Sequence, residues 1–158
     1  MNQNLDPFEP LECEISSLLY SPQQEYIVGI EVDGTEYGVI INNYDGAILS
    51  FVDKGCSDFS HINIIHQVLL NFKKQAGFTL EKIFIEAKYG DIFYCRLKWT
   101  KYYNDENKPD KSVFNVVSIG DALILQSLTH CEFYVLKNVL DQLDKLELEE
   151  GFMENYDF

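Results

Sequence analysis

The segment EYIVGIEVDGTEYGVII, residues 25–41, constrains the fold more than any other part of the chain. Two runs rich in β-branched residues flank Asp33-Gly34, a dipeptide typical of two-residue hairpin loops because glycine readily adopts positive φ. A second hairpin is predicted over residues 80–101, LEKIFIEAKYGDIFYCRLKWTK, with its turn at Tyr89-Gly90-Asp91. We therefore expect antiparallel strand pairs to form much of the fold.

Two helices are predicted between these hairpins. The first is short and covers residues 44–55, YDGAILSFVDKG, which end in a glycine. The second covers residues 60–77, SHINIIHQVLLNFKKQAG, with Ser57 or Ser60 as its N-cap. Its predicted inward face follows the i, i+3, i+4, i+7 rule and comprises Ile62, Ile65, Leu69 and Phe72.

The C-terminal half adds a third helix after Asp121 and an amphipathic terminal helix over residues 136–150, LKNVLDQLDKLELEE. The predicted inward face of the terminal helix comprises Val139, Leu143 and Leu146. Further strands are predicted over residues 11–20, 112–118 and 132–135. Hairpins mixed with helices predict an α+β domain with a mixed, largely antiparallel sheet. No G-x-G-x-x-G or G-K-[ST] phosphate loop occurs, so no nucleotide or organic cofactor is indicated.

Length and residue usage indicate the class of protein. A chain of 158 residues is long enough for one domain with a sizeable core. Residues 1–10 contain two prolines and no periodicity, and are predicted to be a flexible arm. The N-terminus is polar and no apolar run approaches the roughly 20 residues of a membrane span, so we expect a cytoplasmic protein without a membrane partner. The four cysteines are scattered, and we expect buried free thiols.

The charge of the chain opposes a simple role in nucleic-acid binding. Twelve basic residues stand against 26 acidic ones, which gives a formal net charge of −14. Arg96 is the only arginine, although the guanidinium group is well suited to binding phosphate. Long-range attraction to DNA or RNA is therefore not expected unless the charge is strongly segregated.

Three segments, taken together, resemble the bifunctional nuclease (BFN) domain family. Its first signature, Leu-Pro-Ile-x-Ile-Gly-x-x-Glu-Ala, aligns without gaps with YGVIINNYDG and places Asp45 at the glutamate position. Its second, Arg-Pro-x-Thr-His-Asp-Leu-Leu, aligns with the segment INIIHQVL and keeps His66. The hairpin that follows in the family resembles KIFIEAKYGDIFYCRL, residues 82–97.

The third signature, Asp-Ala-Arg-Pro-Ser-Asp-Ala-Ile-Ala-Leu, resembles VVSIGDALIL and keeps Asp121. The Pro-Ile-Tyr-Val segment that follows it resembles EFYV. The resemblance covers residues 11–143 and predicts a BFN-like domain there, with residues 144–158 as an acidic C-terminal extension. Both signature arginines are replaced, one by Ile62 and the other by Ser118.

The resemblance implies a catalytic site formed by Asp45, His66 and Asp121. The two carboxylates are the expected ligands of one Mg²⁺ or Mn²⁺ ion, and His66 is the expected acid or base. Each residue also has a structural interpretation. Asp45 can be a first-turn charge that complements a helix dipole, His66 a packed core histidine, and Asp121 a helix cap.

The family is associated with hydrolysis of DNA and RNA, so the resemblance implies a metal-assisted phosphodiester hydrolase. Loss of one preorganised donor can cost about 10²- to 10³-fold in rate, and the absence of both arginines therefore predicts weak activity. The resemblance also suggests a homo-oligomer. Two alternatives stay open: a catalytically degenerate domain that acts as a protein-interaction or regulatory module, and a binder of small anions at the helix N-termini near Asp45 and Asp121.

Overall fold

The computed structural model describes residues 6–53, 64–147 and 153–157. The described residues form an α+β fold, as the sequence predicts, but their strands make two five-stranded sheets and not one. The strands are β1 (Pro10–Glu12), β2 (Glu14–Tyr20), β3 (Tyr26–Val32), β4 (Thr35–Ile41), β5 (Thr79–Tyr89), β6 (Ile92–Lys101), β7 (Lys111–Ser118), β8 (Glu132–Leu136), β9 (Asp144–Lys145) and β10 (Met153–Asp157). The helices are α1 (Asn43–Asp53), α2 (Ile65–Gln75), α3 (Ile119–Thr129) and α4 (Lys137–Leu140).

Both predicted hairpins are confirmed. In the first sheet, ordered β1-β8-β5-β6-β7, strands β5 and β6 pair around a turn at Gly90, which has a φ of 62°. In the second sheet, ordered β10-β2-β3-β4-β9, strands β3 and β4 pair around Asp33 and Gly34, which have φ values of 50° and 79°. Positive φ at both turn residues is the geometry that matches the twist of the flanking strands. Among the described strand pairs, β5 and β8 alone run parallel.

The strand predicted over residues 11–20 is two strands that belong to different sheets. Strand β1 pairs with β8 in the first sheet, whereas β2 pairs with β3 in the second. The chain crosses between the sheets at Cys13, whose backbone N–H donates to the carbonyl of Phe133 at 3.0 Å. The alternating pattern of the sequence continues through this crossing, so periodicity alone does not reveal it.

Helix α3 lies in the core. Its buried residues occupy every side of the helix and comprise Ile119, Gly120, Ala122, Leu123, Ile124 and Leu125. A helix that is apolar all round is typical of a buried position. Helix α3 packs on β5, β6 and β7 of the first sheet and on α1, and α1 packs on β3 of the second. One hydrophobic cluster contains residues from both sheets and therefore joins them.

The predicted inward face of α2 is wrong at Ile65 and Phe72, whereas Leu69 packs against the core as predicted. Ile65 and Phe72 are 67% and 70% exposed, and the inward face instead begins at His66, which is buried. His66 and the partly buried Leu69, Leu70 and Lys73 follow the same i, i+3, i+4, i+7 rule, one position later. The polar contact of His66 with α3, described below, selects this face. The predicted caps Ser57 and Ser60, together with Gly55 and Ile62, lie outside the described residues.

The predicted terminal helix over residues 136–150 is also wrong. Helix α4 has four residues, and the chain then adds β9 beside β4, while β10 pairs with β2. Leu146 explains the change, because its side chain packs over Gly29 and Gly38, which face each other on β3 and β4. The absence of side chains at these two glycines leaves room for it. No described helix is long and apolar enough to cross a membrane.

Candidate functional site

The N-terminal turns of α1, α2 and α3 bring together the three residues predicted from the sequence. Asp45 is the third residue of α1, His66 the second of α2 and Asp121 the third of α3. Asp121 bonds directly to His66, and Asp45 packs against the first turn of α3. Each residue therefore lies near the positive end of a helix dipole, where a carboxylate is stabilised.

His66 and Asp121 form the central contact. Nε2 of His66 lies 2.7 Å from Oδ1 of Asp121, and Oγ of Ser118 donates to the other carboxylate oxygen, Oδ2, at 3.1 Å. His66 is 4% exposed, whereas the side chain of Asp121 is 42% exposed. The imidazole therefore lies behind the carboxylate, and Asp121 is the member of the pair that solvent reaches.

The N-cap of α3 is Ser118, three residues before Asp121. The interpretation of Asp121 as the cap of this helix is therefore wrong. As a first-turn acid it still complements the helix dipole, but its two oxygens contact His66 and Ser118 side chains.

Asp45 is buried and held from two sides. Nδ2 of Asn42 donates to Oδ2 of Asp45 at 2.8 Å, and the backbone N–H of Asp45 donates to Oδ1 of Asn42 at 2.8 Å. The bond from the Asp45 backbone is the first half of a capping box, whereas the bond to the Asp45 carboxylate comes from the Asn42 side chain and not from its backbone N–H. On the other side the carboxylate lies so close to Gly120 that a Cβ at position 120 would overlap Oδ2 of Asp45.

The electrostatics of Asp45 follow from this position. Burial raises the pKa of its carboxyl above the ordinary range, and the negative charge of Asp121 raises it further. The hydrogen bond from Asn42 and the proximity of His66 oppose the increase in the pKa. Asp45 thus binds a proton more tightly than an exposed aspartate does. Nδ1 of His66 is also buried, and it has no hydrogen-bond partner in the described part of the chain.

Sequence reasoning missed Asn42, Ser118 and Gly120. The signal was present, because Asn42-Asn-Tyr-Asp45 and Ser118-Ile-Gly-Asp121 share one spacing, an N-cap residue type followed three positions later by an acid. Gly120 carries no comparable local signal. Its importance comes from its close contact with Asp45, a residue of α1 that lies 75 positions earlier in the chain.

The two expected metal ligands, Asp45 and Asp121, differ in their exposure. Among the described residues no group of three or more His, Cys, Asp or Glu side chains is arranged to hold a metal ion. Asp45 is buried and bonded to Asn42, so Asp121 is the accessible carboxylate. Mg²⁺ often uses one or two carboxylates and retains several waters, and Asp121 fits that mode of binding.

Neither the single arginine nor the described cysteines belong to the site. The guanidinium of Arg96 lies over the rings of Phe84 and Phe114, and its Nε is 3.1 Å from Oε2 of Glu86, all on the first sheet. Cys95 is buried and Cys13 and Cys131 are partly buried, all as free thiols, and burial raises the pKa of each. These thiols are therefore poor nucleophiles. Cys56 lies outside the described residues.

Comparison with known proteins found no match to any protein-family model. A search of curated proteins likewise found no match.

Proposed function

We propose that this protein is a BFN-like hydrolase of DNA or RNA phosphodiesters with weak, metal-assisted activity. The observation that carries the proposal is the direct contact between His66 and Asp121 at 2.7 Å, with Asp45 packed against the turn that holds Asp121. His66 thus contacts the partly exposed carboxylate of Asp121, and Asp45 lies against the same turn, although the three residues are far apart in the sequence. Convergent titratable groups with a raised pKa among them are typical of functional sites.

The burial of each residue suggests its role. Asp121 is the catalytic residue of the proposal, because its carboxylate is the one that can reach a substrate or a metal-bound water. His66 is a positioning residue that holds the Asp121 carboxylate through Nε2. Asp45 is a second positioning residue, because its buried carboxylate is bonded to Asn42 and packs against Gly120 in the turn that holds Asp121.

A hydrated Mg²⁺ or Mn²⁺ ion held by Asp121 would supply charge neutralisation at the phosphate and a more acidic water. The signature arginines are absent, and Arg96 is engaged on the first sheet. The proposed activity is therefore weak relative to a site with preorganised cationic donors.

Cleavage of short single-stranded RNA and DNA by the full chain, with Mg²⁺ or Mn²⁺, tests the proposal. We expect Asp121→Asn to lower the cleavage rate at least 10²-fold at unchanged stability, because the variant removes the accessible charge. His66→Gln should lower it by a smaller factor. Asp105→Asn, in the exposed connection between β6 and β7, is the matched control and should cleave as the wild type does. Equal cleavage by wild type and Asp121→Asn would refute the proposal and identify a contaminating nuclease.

A second candidate is a catalytically degenerate BFN-like domain that acts as an interaction module, with self-association as its simplest form. The observation that favours it is the outer face of α2, formed by Ile65, Val68 and Phe72, which are 67%, 47% and 70% exposed. Adjacent exposed apolar side chains of this kind mark contact surfaces. Absence of cleavage at high protein concentration, together with a stable oligomer, would favour this candidate over the hydrolase.

A further inference from the structure

Strand β7 forms one edge of the first sheet. It pairs with β6 over eight consecutive positions without a register shift, and its other side has no partner strand among the described residues. Every second residue of such a strand points its backbone N–H and C=O away from the sheet. These groups form a template on which a further strand can pair.

The three other edge strands have features that oppose such pairing. Strand β1 has three residues and begins with Pro10, β9 has two residues, and a register shift interrupts the pairing of β10 with β2. Short strands, prolines and bulges are the means by which proteins protect sheet edges. Strand β7 has none of them, and its one charged residue, Lys111, lies at its first position. It is therefore the described edge best suited to pairing.

The side chains of β7 add apolar surface at this edge. Val113 and Val117 pack against the hydrophobic core, so the alternation of the strand places Phe114 and Val116 on the opposite face of the sheet. Phe114 and Val116 are 48% and 68% exposed. The guanidinium of Arg96 lies 5.2 Å from the ring centroid of Phe114 and favours one position of the ring. Adjacent exposed apolar side chains beside an unpaired backbone are typical of a contact surface.

The sequence of β7 indicates which partner fits this edge. Residues 112–118, SVFNVVS, read nearly the same in both directions from Asn115. Antiparallel pairing across a two-fold axis places residue i opposite residue j, and j opposite i. With the axis at Asn115, serine faces serine, valine faces valine, and Phe114 faces Val116 of the partner subunit. Pairs of an aromatic with a β-branched residue stabilise neighbouring strands. A second copy of this chain therefore matches the edge.

We propose that two copies of this protein dimerise by antiparallel pairing of their β7 strands, with Asn115 on the two-fold axis. The first sheets of the two copies would then form one continuous sheet. The charge of the strand supports this arrangement. Each copy has a net charge of −14, yet Lys111–Ser118 contains one lysine and no acid, so the pairing brings no two carboxylates of the strands face to face. This surface is separate from the outer face of α2, and the inference does not depend on the hydrolase.

Charge changes at position 115 test the dimer, because the proposed axis places this position opposite itself. We expect sedimentation velocity of the full chain to show that Asn115→Asp and Asn115→Lys each weaken dimerisation at least about fivefold, since like charges directly opposite are destabilising. An equimolar mixture of the two variants should restore dimerisation, because opposite charges then face each other. Asn115 is exposed in the single chain, so neither change alters a buried site.

Asn107→Asp and Asn107→Lys are the matched controls. They make the same changes in net charge in the exposed connection between β6 and β7, and both should dimerise as the wild type does. If the outer face of α2 alone held an oligomer, the variants at positions 115 and 107 would associate equally, and the inference would be overturned. Failure of the mixture to associate more strongly than either variant alone would also overturn it. A wild type that is monomeric throughout the concentration range would do the same and leave an extended segment of another protein as the candidate for this edge.

Discussion

At the scale of single residues, Asp45 is the residue of the site whose environment differs most from that of an exposed aspartate. It is 6% exposed and lies against the backbone of Gly120, yet it carries an ionisable carboxyl. The two hydrogen bonds that it shares with Asn42 only partly offset the cost of burying a charge. Asp45 therefore contributes to stability mainly in its protonated form, because its pKa in the folded protein lies above that of an exposed aspartate.

We expect Asp45→Asn to be more stable than the wild type at pH 7, by roughly 1 kcal/mol in the free energy of unfolding. The stabilisation from the protonated carboxyl is fully present below the ordinary aspartate pKa of about 3.9 and is lost as the pH rises through the raised pKa of Asp45. The advantage of the variant should therefore shrink as the pH falls from 7 to 4. Urea unfolding of both proteins across this range measures it.

Asp105→Asn serves as the control for this experiment, because Asp105 is exposed. Its stability should follow that of the wild type at both pH values. If Asp45→Asn were less stable than the wild type by the same amount at pH 4 and pH 7, the carboxyl would act through hydrogen-bond geometry alone, and the proposed effect of burial would be wrong.

At the scale of elements, turn chemistry and helix starts organise the fold. Gly34 has a φ of 79°, and a Cβ added there would meet no atom within 4 Å. Any penalty for a side chain at this position is therefore a backbone penalty. The helix starts act through side-chain contacts instead. The side chains of Asn42 and Ser118 each donate to the site carboxylate that lies three residues later, Asp45 and Asp121 respectively.

We expect Gly34→Ala to lower the free energy of unfolding by about 1 kcal/mol, because an L-residue is disfavoured at this φ. Asp33→Asn is the matched change at the neighbouring turn position, where φ is 50°, and should cost less because asparagine tolerates positive φ. Chemical denaturation of both variants provides the comparison. Equal stability of Gly34→Ala and the wild type would show that the turn relaxes into another type.

At the scale of the whole molecule, the outer face of α2 is an apolar surface that the described residues leave uncovered. Ile65, Val68 and Phe72 lie on one side of the helix, opposite the side that carries His66. Burial of this face in a homo-oligomer would remove apolar surface from water, and this burial would stabilise the oligomer.

Light scattering of the purified protein tests for this oligomer. We expect the wild type to have a mass above that of the 18.3 kDa monomer, and Phe72→Asp to shift the mass towards the monomer. Tyr89→Asp replaces an aromatic residue of similar exposure, 71% against 70%, at the β5–β6 turn and should leave the mass unchanged. A wild type that is monomeric across the concentration range would contradict self-association through α2.

Local sequence patterns predicted the parts of the fold that depend on neighbouring residues. Asp33-Gly34 and Gly90 predicted both hairpins, because the conformational demand of a tight turn falls on the turn residues themselves. The resemblance to the BFN family identified Asp45, His66 and Asp121 as candidates from their motif positions. Local patterns did not predict which residues support them, since the role of Gly120 depends on contact with a distant helix.

The sequence by itself thus determined the α+β class, the two hairpins and the existence of helices α1, α2 and α3, because turn preferences and periodicity act over a few residues. Only the tertiary structure decided which face of α2 turns inward, because Asp121 lies far from His66 in sequence and bonds to it only in the folded chain. It also decided that the C-terminal segment adds strands instead of a long helix. The side chain of Leu146 packs over Gly29 and Gly38 of the β3–β4 hairpin, and this contact outweighs the local amphipathic pattern that predicts a helix.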